Sequence, residues 1–266
     1  MRVVVINPFG GGEASARDNF DVIKRPDTEC DIVNVTDDYP LKNNQWFYFK
    51  CACTDPALEK ILWGERQSSD AIFLPCQRDT GLYGARILVG IPVTGTLESA
   101  ALICYTMGKH FSLLSVDYQN GEIQHTLLKT YGLDGNLNSV ISIGIDANDL
   151  YPGKTSEDTV IEHVLAATWR VGEDDGAEMI IPGCTLSGSM LIGKHGNMDA
   201  SLGILAVGAM VANFKCSEMR AELNCAGVLP AVSRSGYFTN PPAVPWEILR
   251  TFNQRPSEPS ARYGDP

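Results

Sequence analysis

The 266-residue sequence predicts an α/β protein of two similar lobes, each a mostly parallel sheet flanked by helices, with its ligand site in the cleft between them. Three observations lead there. Short runs rich in Val, Ile, Leu and Phe alternate with longer stretches of helical periodicity. The short runs are almost continuously apolar, as strands covered on both faces must be. One strand-end pattern also occurs twice: Asp70-Ala-Ile-Phe-Leu-Pro-Cys76, and Asp175-Gly-Ala-Glu-Met-Ile-Ile-Pro-Gly-Cys184. In both, an apolar strand ends in Pro, reaches Cys and enters a turn and a helix. The two cysteines lie 108 residues apart, about the length of a half-domain.

Strands are expected at 2–7, 31–35, 71–75, 111–116, 139–145 and 178–182. Helices are expected at 55–65, 82–88, 97–107, 123–131 and 157–171, with a last one from about 201 or 203 to 220. The 157–171 stretch carries Val160, Val164, Ala167, Thr168 and Val171 at helical spacing behind Ser156, a suitable N-cap. Cys51-Ala-Cys53, beside the aromatic run Trp46, Phe47, Tyr48 and Phe49, reads as buried thiols in a strand. Alternating strands and helices imply right-handed crossovers. The first lobe is expected to span 1–95 plus the C-terminal helix within 207–231, and the second 96–206. From 232 onward Pro241, Pro242, Pro245, Pro256, Pro259 and Pro266 punctuate a poorly packed extension.

Hydrophobic residues make up 44% and charged residues 20% of the chain, which supports a packed core and excludes wholesale disorder. A formal charge of −11 argues against nucleic acid or an anionic membrane as partner. No apolar run reaches the roughly 18 residues of a spanning helix. The start, Met1-Arg-Val-Val-Val-Ile-Asn7, reads as a core strand rather than a signal peptide. A soluble, cytoplasmic protein is expected. Its eight cysteines, at 30, 51, 53, 76, 104, 184, 216 and 225, are too sparse for a disulfide scaffold. They also lack paired elements for zinc, and His110, His125, His163 and His195 share no metal spacing. His195 sits in a glycine-flanked segment read as a surface turn. The Gly10–Gly12 run lacks the spacing of a phosphate loop, and no Gly-x-Ser-x-Gly elbow is present. Neither a metal nor a cofactor is expected.

Two thiols then stand out. In an open α/β sheet ligands bind at the carboxyl ends of strands, where Cys76 and Cys184 both fall. Each precedes a helix start, whose backbone N–H groups can stabilise a thiolate and bring it toward neutral pH. If the lobes face each other, one thiolate removes a proton from a carbon acid while the opposite thiol delivers one to the other face. The stereocentre inverts without metal or cofactor. Backbone N–H groups at Gly10–Gly12, Thr94-Gly95-Thr96 or Gly183-Cys184-Thr185 could receive the enolate charge. The other six cysteines read as small core residues.

At these residues the chain resembles the aspartate/glutamate/hydantoin racemase superfamily, in its hydantoin/allantoin racemase branch. The motifs are VVVINP with Asn7, DAIFLPC-x-x-D-x-G with Cys76, IPVTGTLESA, FSLLSVD, and MIIPGCTLSG with Cys184, in that order over about residues 1–220. The resemblance implies Cys76 and Cys184 as catalytic acid/base partners. It also implies Asn7, Thr94, Gly95, Ser115, Gly183 and Thr185 as residues around a small-molecule substrate, and a homo-oligomer. The sequence departs from the family in the first loop, where Phe9 and three glycines replace N-P-N-[ST], and after the first cysteine, where Gln77 and Arg78 stand. Phe9, Gln77 and Arg78 are therefore added to the substrate-contacting set, Arg78 as a group suited to an acidic substrate. The favoured substrate is a 5-substituted hydantoin or allantoin-like compound. Two alternatives stay open: a maleate-type cis–trans isomerase using one cysteine covalently, and a non-catalytic small-ligand binder.

Overall fold

The computed structural model describes residues 1–8, 13–35, 46–151, 153–196, 198–199 and 203–240. Phe9, the glycine run 10–12 and the Pro-rich stretch 241–266 lie outside the described residues. Two α/β lobes are present. The first sheet is built from β1 (Arg2–Asn7), β2 (Glu29–Asn34), β3 (Ala71–Leu74) and β4 (Val93–Gly95), in the order β2-β1-β3-β4 and parallel throughout. Its crossovers are α1 (Glu13–Ile23), α2 (Phe47–Arg66) and α3 (Leu82–Leu88). Then α4 (Thr96–Met107) leads to a second sheet made of β5 (Phe111–Ser115), β6 (Leu137–Ser142), β7 (Met179–Pro182), β8 (Met198–Asp199) and β9 (Ile204–Ala206). Its order is β6-β5-β7-β9-β8, with only β8 antiparallel. Helices α5 (Tyr118–Tyr131), α6 (Glu157–Asp174) and α7 (Thr185–His195) accompany it. Last, α8 (Ala209–Cys225) returns to pack on α4, α1 and the first sheet.

The strands form where both faces can be buried. Val3 and Val5 of β1 enter one cluster with Phe20, Phe73 and Phe214, whereas Val4 and Ile6 enter another with Ile61, Ile72 and Leu74 on the opposite face. Successive side chains of a strand point to opposite faces, so a Val-Val-Val-Ile run serves two cores at once. Phe214 of α8 stacks on Phe20 with centroids 4.6 Å apart, and the edge of Phe20 meets Phe73 at 5.3 Å. Burying each of these rings contributes about 2 kcal/mol. The C-terminal helix therefore completes the core of the first lobe. Ser156 caps α6 by accepting from the Thr159 N–H at 3.2 Å, and Val160, Val164, Ala167 and Val171 form its buried stripe.

Five local expectations need correction. The Trp46–Phe49 run and Cys51-Ala-Cys53 belong to the helix α2 and not to a strand. Cys53, Ala57, Ile61 and Gly64 face inward at helical spacing, and Phe47 and Tyr48 are largely exposed, so aromatic β-propensity yields to the helical face. Cys51 is exposed, as is Cys225, so neither is a core residue. The segment 203–208 is not helical: β9 adds to the edge of β7, with the Val207 N–H donating to the Ile180 carbonyl at 2.9 Å, and α8 begins only after Gly208. The beginning of the tail is docked, not loose. Arg234 donates to the carbonyls of Arg86 (2.8 Å), Ile87 (3.2 Å) and Val89 at the end of α3, and Phe238 packs edge-on against Tyr83. His195 closes α7 and is not in a loop. No helix among the described residues is long and apolar enough to cross a membrane.

Candidate active site

Cys76 follows the carboxyl end of β3 in the loop 75–81. A tight turn shapes the loop: the Asp79 N–H donates to the Cys76 carbonyl at 2.9 Å, and the Leu82 N–H to the Asp79 carbonyl at 3.1 Å. Gly81 takes φ +80°, a conformation open to glycine at little cost. The Asp79 carboxylate is buried and ties the loop to the start of α4 and the end of α5. It accepts from the backbone N–H groups of Leu97 and Glu98, both at 3.0 Å, and from the Tyr131 hydroxyl at 3.0 Å. This close approach explains Gly95, where a Cβ would lie 2.6 Å from the Asp79 Cγ. Burial, reinforced by the charge of Glu98, pushes the Asp79 carboxyl up to about 6 in spite of these donors.

Cys184 occupies the equivalent place after β7, as the N-cap residue of α7. Gly183 before it has no room for a side chain: a Cβ would lie 2.3 Å from the Leu114 carbonyl oxygen and 2.7 Å from Gln77 Oε1. The helix start acts on the thiol as expected, since the N–H groups of Ser187 and Leu186 favour its thiolate. Burial outweighs them, and the negative charge of Cys76 adds to it, so the Cys184 thiol is pushed up to about 11. The expected thiolate near neutral pH is thus not what Cys184 presents. It holds a proton.

Two polar side chains of the Cys76 loop bond to the second lobe. Gln77, next to Cys76, donates from Nε2 to the Pro182 carbonyl at 2.8 Å, two residues before Cys184, and accepts from Gln124 Nε2 at 3.3 Å. Arg78 is buried and donates from Nε to Asn120 Oδ1 at 2.8 Å, with Nη2 also bonded there. Asn120 is itself held by Asp117, which accepts from its N–H at 2.7 Å and from its Nδ2 at 2.8 Å. Burial lowers the Arg78 guanidinium, and the negative charges of Cys76, Asp117 and Cys184 oppose that shift. Among the described residues no group of three or more His, Cys, Asp and Glu side chains is arranged to hold a metal ion.

The family model for Asp/Glu/Hydantoin racemase matches residues 35–191. The chain belongs to the Asp/Glu/hydantoin racemase family. Its curated relatives are hydantoin racemases, and a racemase is an isomerase. The matched span contains both Cys76 and Cys184. A hydantoin racemase from Pseudomonas sp. (strain NS671) is 24% identical over 229 residues, covering 84% of this chain and 87% of that protein. Among solved structures, allantoin racemase from Klebsiella pneumoniae superposes with a TM-score of 0.79 at 22% identity, covering 91% of this chain and 94% of that one. Allantoin racemase from Pseudomonas fluorescens does so with 0.75 at 22% identity, covering 91% and 97%. The shared fold is that of two α/β lobes, each a mainly parallel sheet flanked by helices.

The remaining residues expected around the racemase site are placed unevenly. Asn7 ends β1 and donates to Asn34 Oδ1 at 3.1 Å along the strand-end edge. Ser115 ends β5, the strand beside β7; its hydroxyl is buried without a hydrogen-bond partner among the described residues. Thr185 opens α7 and is half-buried. Thr94 turns the other way: its hydroxyl bonds to Ser217 of α8. Gln77 and Arg78 make lobe-to-lobe bonds beside Cys76, Arg78 through its Nε and Nη2. Asp79, Asn120 and Gln124 were not singled out by sequence reasoning. The Asp117-x-x-Asn120 capping pattern and the D-x-G following Cys76 were the available signals.

Proposed function

We propose that the chain is a cofactor-independent racemase that inverts a carbon acid next to a carbonyl, acting on a 5-substituted hydantoin or allantoin-like substrate through Cys76 and Cys184. The observation that carries this reading is the 2.8 Å bond from Gln77 to the Pro182 carbonyl, which links the two cysteine loops across the cleft. The mutual action of the two thiol charges supports it.

In this reaction a Cys76 thiolate takes the proton from the stereocentre, forming a new S–H bond as the C–H bond breaks. The electron pair moves onto the adjacent carbonyl oxygen as an enolate. Cys184, which holds its proton, donates it to the opposite face of the carbon; its S–H bond breaks, the C–H bond forms, and the carbonyl is restored. One proton has moved from Cys184 to Cys76, and the other enantiomer runs the same path backward. Proton transfer by positioned groups contributes about 10² to 10⁴ in rate. The buried hydroxyl of Ser115 and the first N–H groups of α7 are suited to receive the enolate charge.

The test follows one enantiomer of a 5-substituted hydantoin in deuterated water with wild type, Cys76→Ser and Cys184→Ser. Wild type should racemise it with deuterium incorporated at the stereocentre, and each variant should lose at least about a hundredfold in racemisation. Full racemisation retained by both variants would overturn the two-thiol mechanism.

A further inference from the structure

Lys50 lies in the segment that the sequence pattern assigned to a strand, and the helix α2 gives it a different setting. Thr54 and Leu58, one and two turns beyond it, touch the cysteine loop: a Cβ on Gly81 would meet Leu58 at 3.4 Å and Thr54 at 3.8 Å, and one on Gly84 would meet Leu58 at 3.4 Å. Residues four apart share a helix face. Lys50 continues this stripe by one turn, toward the amino-terminal part of the loop that holds Cys76, Arg78 and Asp79, and the Thr54 hydroxyl donates to its carbonyl at 2.9 Å. Its ammonium is within electrostatic reach of all three: burial lowers its pKa, and Asp79 and Cys76 pull it back up.

Among the described residues some lysines are ion-paired and others, half-buried Lys50 and Lys60 included, are not. Lys24, Lys194 and Lys215 pair with Asp21, Asp158 and Glu218. Half-buried Lys50 has no hydrogen bond or ion pair from its ammonium among the described residues, in a chain of net charge −11. Asp79, whose attraction acts most on it, already accepts three hydrogen bonds. Arg78 gives Nε and Nη2 to Asn120. A half-buried cation held beside a reacting thiol, with no partner among the described residues, is suited to an anion brought by the ligand.

We infer that Lys50 binds an anionic group on the substrate's side chain, so that the site selects carbon acids of the hydantoin type that carry a carboxylate over their neutral counterparts. The inference rests on the racemase reading of the same site and names its substrate class. Lys50 is a specificity-determining residue in it, separate from the proton transfer itself.

Steady-state racemisation is measured for 5-(carboxymethyl)- and 5-(2-carboxyethyl)hydantoin and for the two matching amides, with wild type, Lys50→Gln and Lys50→Arg. Wild type should favour at least one acid over its amide by about tenfold or more in kcat/KM, the scale of one hydrogen bond to a charged group. Lys50→Gln should erase that preference, chiefly through KM for the acid, and Lys50→Arg should restore part of it. Equal kcat/KM for acid and amide in wild type, or an equal loss for both in Lys50→Gln, overturns the inference and leaves the racemase reading intact. Failure of wild type to racemise any of the four compounds overturns both.

Discussion

Asp79 gives the sharpest test of how the cysteine loop is held. Its carboxyl is buried and raised from 3.8 to about 6, chiefly by desolvation. Two pH units at 1.36 kcal/mol each correspond to about 3 kcal/mol of free energy linked to one proton. The folded carboxyl binds its proton more tightly than the unfolded one, so this stabilisation is complete below pH 3.8 and is lost as pH rises through about 6. Carboxylates such as Glu178 and Glu218, held low by their hydrogen-bond donors against burial, act in the opposite sense, and their effect must be removed. Asp79→Asn provides the reference. Its amide is neutral at every pH and accepts through one oxygen where the carboxylate uses two, an offset of about 1 to 2 kcal/mol without pH dependence. Urea unfolding of both proteins from pH 8 to pH 4 gives the difference in stability, from which common titrations cancel. Wild type should gain on the variant by about 2 to 3 kcal/mol across that range, with the midpoint of the change between pH 4 and pH 6. A difference flat within about 0.5 kcal/mol, or one moving the other way, refutes the view that Asp79 is held there against its own desolvation.

Two further outcomes follow from the bonds around the thiols. Gln77→Leu strips the Pro182 carbonyl of its donor in a buried place, which should destabilise the protein by about 2 kcal/mol in urea unfolding. Racemisation should fall at least about tenfold because the two loops lose their link; lost stability with turnover unchanged would make Gln77 a purely structural tie. Alkylation of Cys184 by iodoacetamide, followed by mass spectrometry of its peptide, should quicken about tenfold per pH unit from 7 to 10 as the thiol titrates toward about 11. A rate independent of pH over that range would contradict the protonated state assigned to it.

The parts of the fold that were legible are those where burial leaves a repeating mark. β1, β3, β5 and β7 are buried on both faces, and their apolar runs locate them to within a residue or so. β4 and β9 are three residues each, too short for any period to repeat, and both are defined by pairing with a neighbour already in place. The Trp46–Phe49 run misleads because β-propensity measures fit to a pleated surface, and no strand is offered to it there. At the site the two cysteines were legible from the repeated strand-Pro-Cys unit. The roles of Gln77 and Arg78 were not, since their partners Pro182 and Asn120 lie 105 and 42 residues away along the chain. Arg78 reaches Asn120 of the opposite lobe through Nε and Nη2, a bond that no local pattern announces.

The two strand ends are alike in sequence and unlike in electrostatics. Burial pushes the Cys184 thiol up, Arg78 attracts negative charge on both cysteines, and Lys50 attracts it on Cys76. In the proposed two-thiol reaction the pair shares one proton, and any asymmetry between the thiols biases where it rests. Only one enantiomer meets the base and acid in the order it needs; the other requires the proton to have crossed first. Yet the enantiomers of a free substrate have equal free energies in water, so kcat/KM must be equal in the two directions whatever the enzyme does. Asymmetry at the thiols can therefore appear only as compensating differences in kcat and KM between the two hands. An ammonium that grips a side-chain carboxylate fits this constraint, because it binds both hands of the substrate by a group remote from the carbon that inverts.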